Sequence, residues 1–415
     1  MTSSFQERER PRSARVGRVM GDALKALAVL LVWVGLIEVT LRVTHMPVTG
    51  AYSMRDFKRA FRFRPGAHYW FETEGWNEVR YNSLGFQDVE RSLQREPGTL
   101  RLAFLGSSYV QSAQFPAGKA FPAVAARELK ARGHLAVRDV EGLNFGVGAY
   151  GLPQQLITLQ DDVWKYDPQI VIEVIGLYND IVNNDRYTSV SGRTYPYYTV
   201  QNGRLVPDEI TRRQQVPPDP HVVKWEGRWG DLVNHSKILQ FVNRDLHVAL
   251  NPPDWQPGLI IDPRQTSTFF PPNNPHLQNA WDVTETSLRM MRDECAAHHA
   301  EFWVVVLDFN LQSDPDRAAK ARQLKDWGIT DMHYPDRRIV EFSRKEGIHT
   351  FWLAPLLIDY AESHGAALHG FFNTPRNFGH YNALGQQVIG RLIADELLRN
   401  SDALKAGREL TQAHK

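Results

Sequence analysis

The chain predicts an α/β fold: an open, doubly wound parallel sheet, preceded by a transmembrane helix and interrupted by a large insertion after the third strand. Three observations carry this expectation. From about residue 100 onward, apolar runs of strand length alternate with helical patterns, the signature of β-α-β units. Near the N-terminus, residues 26–37 read ALAVLLVWVGLI without a charge. Between 181 and 282 the alternation stops, and the chain becomes rich in Pro, Asn, Tyr and Trp.

The apolar run continues past Glu38 through Val39, Leu41 and Val43. A spanning helix needs ~20 mostly apolar residues. Ala26–Val43 suffices if Glu38 and Arg42, four apart and able to pair, lie near the far interface. A cleaved signal peptide is the rival, but THMPVTGAYS after Val43 offers only a weak small-x-small site. Basic residues precede the span (Arg8, Arg10, Arg12, Arg15, Arg18, Lys25) and also follow it from Arg55 onward. The segment 43–54, next to the span, has no Lys or Arg, which places the N-terminus inside by the positive-inside rule. The expectation is therefore a single-pass protein of the cytoplasmic membrane, with its bulk on the periplasmic or extracellular side. Residues 1–25 form the cytoplasmic segment, 26–43 the anchor, and 44–98 a linker and N-terminal elaboration.

The first strand is expected at 100–105 (LRLAFL), with a helix over 119–132 and a second strand at 136–143. Helical character returns at 152–165. QIVIEVIG at 169–176 is a near-continuous apolar run, as in a strand buried on both faces. These elements make 99–180 the first part of the domain. The stretch 181–282 is too long for a simple loop, and its aromatic content argues for a cap over the sheet edge or a recognition element. The second part, 283–400, holds a helix over 283–299, strands at 301–308 and 348–354, and helices near 337–346 and 383–399. The polar tail 401–415 is expected to fray.

Composition narrows the class. Of 415 residues, 48 are Lys or Arg and 47 Asp or Glu, a net charge of +1 that gives no bulk attraction to nucleic acid. Hydrophobic residues make up 42%, enough for a large core. The single cysteine, Cys295, excludes an intramolecular disulfide. With His298 and His299 it suggests the end of a helix more than a metal site, and neither metal nor cofactor is expected. The aromatics Tyr195, Tyr197, Tyr198, Trp225 and Trp229 lie in the insertion, where aromatic faces suit sugar or acyl ligands.

Four polar motifs fall just past strand ends, where open parallel sheets bind ligands. These are GSSYV after the first strand, NFGVGAYG (144–151) after the second, GLYND (176–180) after the third, and GHYNALG (379–385) before the last helix. Their chemistry is complementary. A serine hydroxyl needs a base to accept its proton, and His380 can be that base. The backbone N–H of Ser108, the glycine-rich turn and the Asn179 amide supply donors for an oxyanion. Each residue also has a plain structural role: Ser108 and His380 as helix caps, Asn179 and Asp180 as strand terminators, Tyr178 and Phe145 as core.

This order of Ser, Gly-turn, Asn and His resembles the SGNH (GDSL-type) hydrolases, esterases with a flavodoxin-like three-layer α/β/α fold. It resembles especially their membrane-anchored bacterial branch, in which an anchor ending in Glu and Arg is followed by Asn-x-x-Gly-Phe, here Asn82–Phe86. The resemblance covers about 80–180 and 300–400. It implies Ser108 as nucleophile, His380 as base, and an oxyanion hole of Ser108, Ala149 and Asn179. Members cleave acyl or acetyl esters, often on polysaccharides or lipids, without a metal.

The chain departs from that pattern in four places. Ser107 replaces the usual Asp, Ser112 a usual Gly, and Ala149 the second-block Gly, unless the turn slips to Gly148. Most seriously, the Asp of Asp-x-x-His is Asn377, and an amide cannot stabilise an imidazolium as a carboxylate does. Three outcomes stay open: a Ser-His dyad with a backbone carbonyl orienting His380, a substitute acid such as Asp359 or Asp180, or loss of catalysis. The expected function is accordingly an anchored esterase or acyltransferase acting on envelope glycan or lipid esters. The alternative is a degenerate glycan-binding protein that keeps the pocket.

Overall fold

A computed structural model describes residues 12–405 apart from 134, 136, 178, 192–194, 215–219, 247–249 and 251–262. Tyr178, residues 1–11 and the tail from 406 therefore lie outside the described residues, as does part of the insertion. A single helix, α1 (Arg12–Val43), opens the chain. Two antiparallel hairpins follow, β1 (Ser53–Asp56) with β2 (Ala60–Phe63), and β3 (His68–Phe71) with β4 (Asn77–Arg80). The main domain begins with β5 (Thr99–Gly106), the short helix α2 (Ser108–Gln111) and α3 (Phe121–Arg132). It continues through β6 (Asp139–Asn144), α4 (Leu152–Asp161) and β7 (Ile170–Ile175).

The insertion holds a hairpin of β8 (Tyr198–Gln201) and β9 (Arg204–Pro207), then helices α5 (Glu209–Gln214), α6 (Pro220–His235) and α7 (Lys237–Gln240). The main domain resumes earlier than expected, with α8 at Pro275–Ala297, because Asn274 caps its first turn by accepting the Leu277 N–H. Then come β10 (Glu301–Val306), α9 (Arg317–Asp326), α10 (Tyr334–Lys345), β11 (His349–Trp352), α11 (Ala354–His364) and α12 (Ala383–Asn400).

The central sheet is five-stranded and wholly parallel, in the order β11-β10-β7-β5-β6. Read in chain order of its strands, this is the doubly wound 2-1-3-4-5 arrangement of flavodoxin-like folds. The switch of direction lies between β5 and β7, which places the ligand crevice beyond Gly106 and Ile175. Side chains alternate across the sheet, as the two-residue period requires. Leu102, Phe104, Ile172 and Val174 enter a core with α3 and α12, whereas Ala103, Leu105, Val171 and Ile175 enter one with α4 and α8. Two apolar layers on one sheet give the three-layer architecture. Phe145 belongs to the second core.

The N-terminal elaboration is tied to this domain by aromatic packing. Phe61 meets Tyr150 edge-on with ring centroids 5.5 Å apart, and Phe86 meets Phe145 edge-on at 5.0 Å. Asn82 forms a turn, its Oδ1 accepting the N–H groups of Leu84 and Phe86.

The apolar part of α1, Arg18–Val43, is 26 residues long and has no buried share. At 1.5 Å per residue it is about 39 Å long, against a hydrocarbon core of about 30 Å. Arg42 Nε donates to Glu38 at 2.7 Å, the pairing expected from their spacing. The Glu38 carboxylate also accepts the Ser236 hydroxyl and the N–H groups of Lys237 and Ile238, each at 3.0 Å. Glu38 thereby caps α7, a favourable place for a negative charge. Cys295 is buried within α8, and His298, at that helix's end, stacks on Trp164.

Candidate active site

Strand β5 ends at Gly106, where the chain turns sharply into α2. A Cβ at 106 would sit 2.3 Å from the Val110 side chain, so glycine is required for that turn. Ser107 is buried, and Ser108 opens the helix with its side chain directed to the C-terminal edge of the sheet. There Ser108 Oγ lies 2.7 Å from His380 Nε2. His380 stands in the loop before α12, and the ring of Tyr109 flanks its imidazole at 4.9 Å.

The other ring nitrogen meets a residue the sequence did not signal. His380 Nδ1 is 2.6 Å from Glu74 Oε2, and the same oxygen accepts the His380 backbone N–H at 2.9 Å. A carboxylate can only accept, so Nδ1 carries the proton and Nε2 accepts the Ser108 hydroxyl. Glu74 stands in the turn between β3 and β4. Asn373 holds that turn against the histidine loop by accepting the Gly75 N–H (2.7 Å) and donating to the carbonyls of Glu72 (2.7 Å) and Gly75 (3.2 Å). Gly379 makes room for the carboxylate: its φ is +82°, and a Cβ there would lie 2.7 Å from the Glu74 carboxyl carbon.

A second layer fixes the histidine loop from behind. His369 Nδ1 donates to the Gly379 carbonyl at 2.9 Å, and Tyr381 donates its hydroxyl proton to Asp308. His369 and Tyr381 also pair as an antiparallel bridge. The residues on both sides of His380 are thus held, which limits the imidazole to one orientation.

Burial shifts the titrations. It would lower the His380 pKa, but the charge and hydrogen bond of Glu74, together with the charge of Asp180, outweigh it and raise the imidazole above its ordinary value. Glu74 moves the opposite way. Burial works to raise it, yet His380 holds it below the usual carboxylate range. Asp180 is buried with Oδ2 accepting the Gly176 N–H at 2.7 Å, and burial pushes its pKa up to about 7 against the pull of Ser107, Gly176 and His380.

Asn377 does not face the histidine, a correction to the expected site. Its Nδ2 donates to the Asn310 carbonyl at 2.7 Å, while Asn310 Nδ2 donates back to the Asn377 carbonyl at 3.0 Å. Its φ is +58°, a left-handed conformation that asparagine tolerates better than most residues. The amide at 377 therefore serves a clasp between two loops that a carboxylate, having no donor, cannot make. Asp180 accepts from the Gly176 N–H rather than from His380, and Asp359 lies on α11, so neither is the acid on Nδ1.

The remaining candidates lie at the same edge. Ser108 stands first in α2, where its N–H has no acceptor within the helix. The Gly148 N–H donates to Gln111 Oε1 at 2.7 Å, so it is already engaged. Ala149 has a φ of +70° in the turn before α4. Asn179 follows β7, and its Oδ1 is buried without a hydrogen-bond partner.

No family model and no curated protein matches the sequence. Among solved structures the chain is similar to LAE5, an α/β hydrolase enzyme from the metagenome of Lake Arreo, Spain, at 14% identity and a TM-score of 0.35, covering 74% of this chain and 99% of that one. It is also similar to the acetyl xylan esterase AlAXEase, at 12% identity and 0.36, covering 72% and 98%. The lipase/acylhydrolase from Enterococcus faecalis matches at 12% and 0.35, covering 72% and 96%. Similarity this remote says nothing of substrate or activity.

Proposed function

We propose that the chain is a serine esterase or acyltransferase of the SGNH type, anchored in the cytoplasmic membrane by α1 with its main domain on the periplasmic or extracellular side. The observation that carries this reading is the continuous relay of Ser108, His380 and Glu74, with contacts of 2.7 and 2.6 Å. Both lie within the range for proton transfer between nucleophile, base and orienting acid.

In the proposed reaction Ser108 Oγ attacks an ester carbonyl as its proton passes to His380 Nε2. Glu74 accepts from Nδ1–H throughout and stabilises the imidazolium without taking the proton. The N–H groups of Ser108 and Ala149 and the Asn179 amide are the donors assigned to the oxyanion. His380 then protonates the leaving alcohol, which departs and leaves Ser108 acylated. Water or an acceptor hydroxyl, deprotonated by His380, attacks the acyl-enzyme and regenerates the serine.

A complete relay favours turnover over the degenerate binding protein, whose main ground was a missing acid. Aromatic side chains beside the relay favour a glycan or lipid ester. Phe371 packs against Gly75, next to Glu74, while Trp76 and Phe372 are exposed nearby. Such faces pack on sugar rings or acyl chains. The test is labelling by a fluorophosphonate probe together with acetate release from acetylated envelope polysaccharide. Both are expected to vanish in Ser108→Ala. Absence of labelling in the folded parent protein returns the binding-only reading.

A further inference from the structure

Among the described residues, helix α6, in the insertion, is held along one side. Val233 is fully buried there, Asn234 Oδ1 accepts the Ala51 N–H at 2.8 Å, and Arg64 donates to the carbonyls of Glu226 (3.0 Å) and Gly227 (3.4 Å). The opposite side carries Trp225, Trp229 and Leu232, which are 65%, 40% and 54% exposed. Their spacing of i, i+4 and i+7 puts them on one stripe. The two indoles lie parallel, with centroids 6.1 Å apart. Lys224, Arg228 and His235 are exposed along the flank of this stripe.

We infer that the Trp225–Trp229–Leu232 face of α6 lies in the interfacial layer of the bilayer that α1 crosses, with Lys224 and Arg228 toward anionic headgroups. This rests on the anchor reading proposed above. Continuity commits the face to lipid. The last carbonyl of α6, that of His235, accepts from Arg42 of the anchor at 2.8 Å. The next three residues bind Glu38. The C-terminal end of α6 is therefore fixed at the level where the apolar helix leaves the hydrocarbon. Indoles prefer that level, and an amphipathic helix with a basic flank lies flat there. Leu232, on the far side of Trp225 from Trp229 in projection, continues the apolar stripe and has no use in stacking on a sugar ring.

The test uses the full chain in vesicles of phosphatidylethanolamine and phosphatidylglycerol, brominated either high or deep on the acyl chains, with tryptophan fluorescence as readout. Shallow bromines are expected to quench a share of the emission that is lost in the Trp225→Phe/Trp229→Phe double variant and reduced in Leu232→Glu. Deep bromines are expected to quench Trp33 of the anchor in all three proteins. Shallow quenching unchanged in the double variant, with deep quenching of Trp33 intact, overturns the proposal and leaves the anchor standing. Deep quenching that does not change in Trp33→Phe overturns the anchor reading itself. Cross-linking between copies that disappears in the double variant, without shallow quenching, assigns the face to a second copy and also overturns the proposal.

Discussion

Glu74 accepts two hydrogen bonds from His380 through one carboxylate oxygen, from Nδ1 at 2.6 Å and from the backbone N–H at 2.9 Å. The first sets the tautomer and the second sets the position of the ring's own backbone. An Asp-x-x-His arrangement holds its acid three residues from its base. Here the acid is 306 residues away and comes from a different layer of the fold.

Glu74→Gln keeps the size and one acceptor but removes the charge that stabilises the imidazolium. Loss of the corresponding carboxylate in a serine protease lowers kcat by about 10⁴. A fall of about 10³–10⁴ in kcat with little change in KM is expected on a soluble aryl acetate, measured by steady-state hydrolysis. A change of less than tenfold removes Glu74 from the relay.

Asn377→Asp introduces the acid of the Asp-x-x-His pattern, yet it is expected to bring no gain in turnover. It removes the donor to the Asn310 carbonyl and leaves a buried carboxylate facing an acceptor, at a cost of about 1–3 kcal/mol. Urea denaturation with parallel kinetics checks both parts. A higher kcat in this variant means that position 377 reaches the histidine after all.

The acid limb of kcat/KM reports the protonation of His380 in the free enzyme. Glu74 raises the imidazole pKa, so the limb is expected above the ordinary histidine value near 6.5. Removing the Glu74 charge leaves only Asp180 to oppose burial, and the limb of the residual activity in Glu74→Gln moves to lower pH. A limb that stays in place on that substitution contradicts the assignment.

Asp180 links stability to pH in the opposite sense from a paired carboxylate. Its pKa is about 7 in the fold against 3.8 ordinarily, so the folded state holds its proton more tightly than the unfolded chain. The stabilisation is fully present below about pH 4 and is lost as pH rises to about 7, with a full amplitude of order 4 kcal/mol. Asp180→Asn removes this contribution, so the difference in unfolding free energy between variant and parent is expected to grow in the variant's favour between pH 4 and 7. Denaturant midpoints across that range measure it, and a flat difference excludes the linkage.

Much of the fold was legible because the central strands are buried on both faces. QIVIEVIG and EFWVVVLD have no solvent side, so they read as apolar runs without needing tertiary context. Helix α9 was missed for the converse reason: RAAKARQLKD is half charged, and Lys320 is its one buried residue. Ser108 and His380 were legible because one lies just after a predicted strand and the other just before a predicted helix. Glu74 was not, because nothing in FETEGWNE distinguishes one glutamate of a surface-type hairpin from its neighbours. Its role comes from Asn373 and Gly379, which admit that hairpin to the histidine loop. Asn377 misled because the family pattern fixes a spacing, while this fold uses that position to clasp Asn310.

The hairpin carrying Glu74 is made early in synthesis and the loop carrying His380 late. A ribosome-bound chain that has already laid down β5 through β10 holds its serine beside no base. The proposed relay is thereby postponed until the loop before α12 has been made, and the ester hydrolysis proposed for it reports whether that loop and the early hairpin have found each other.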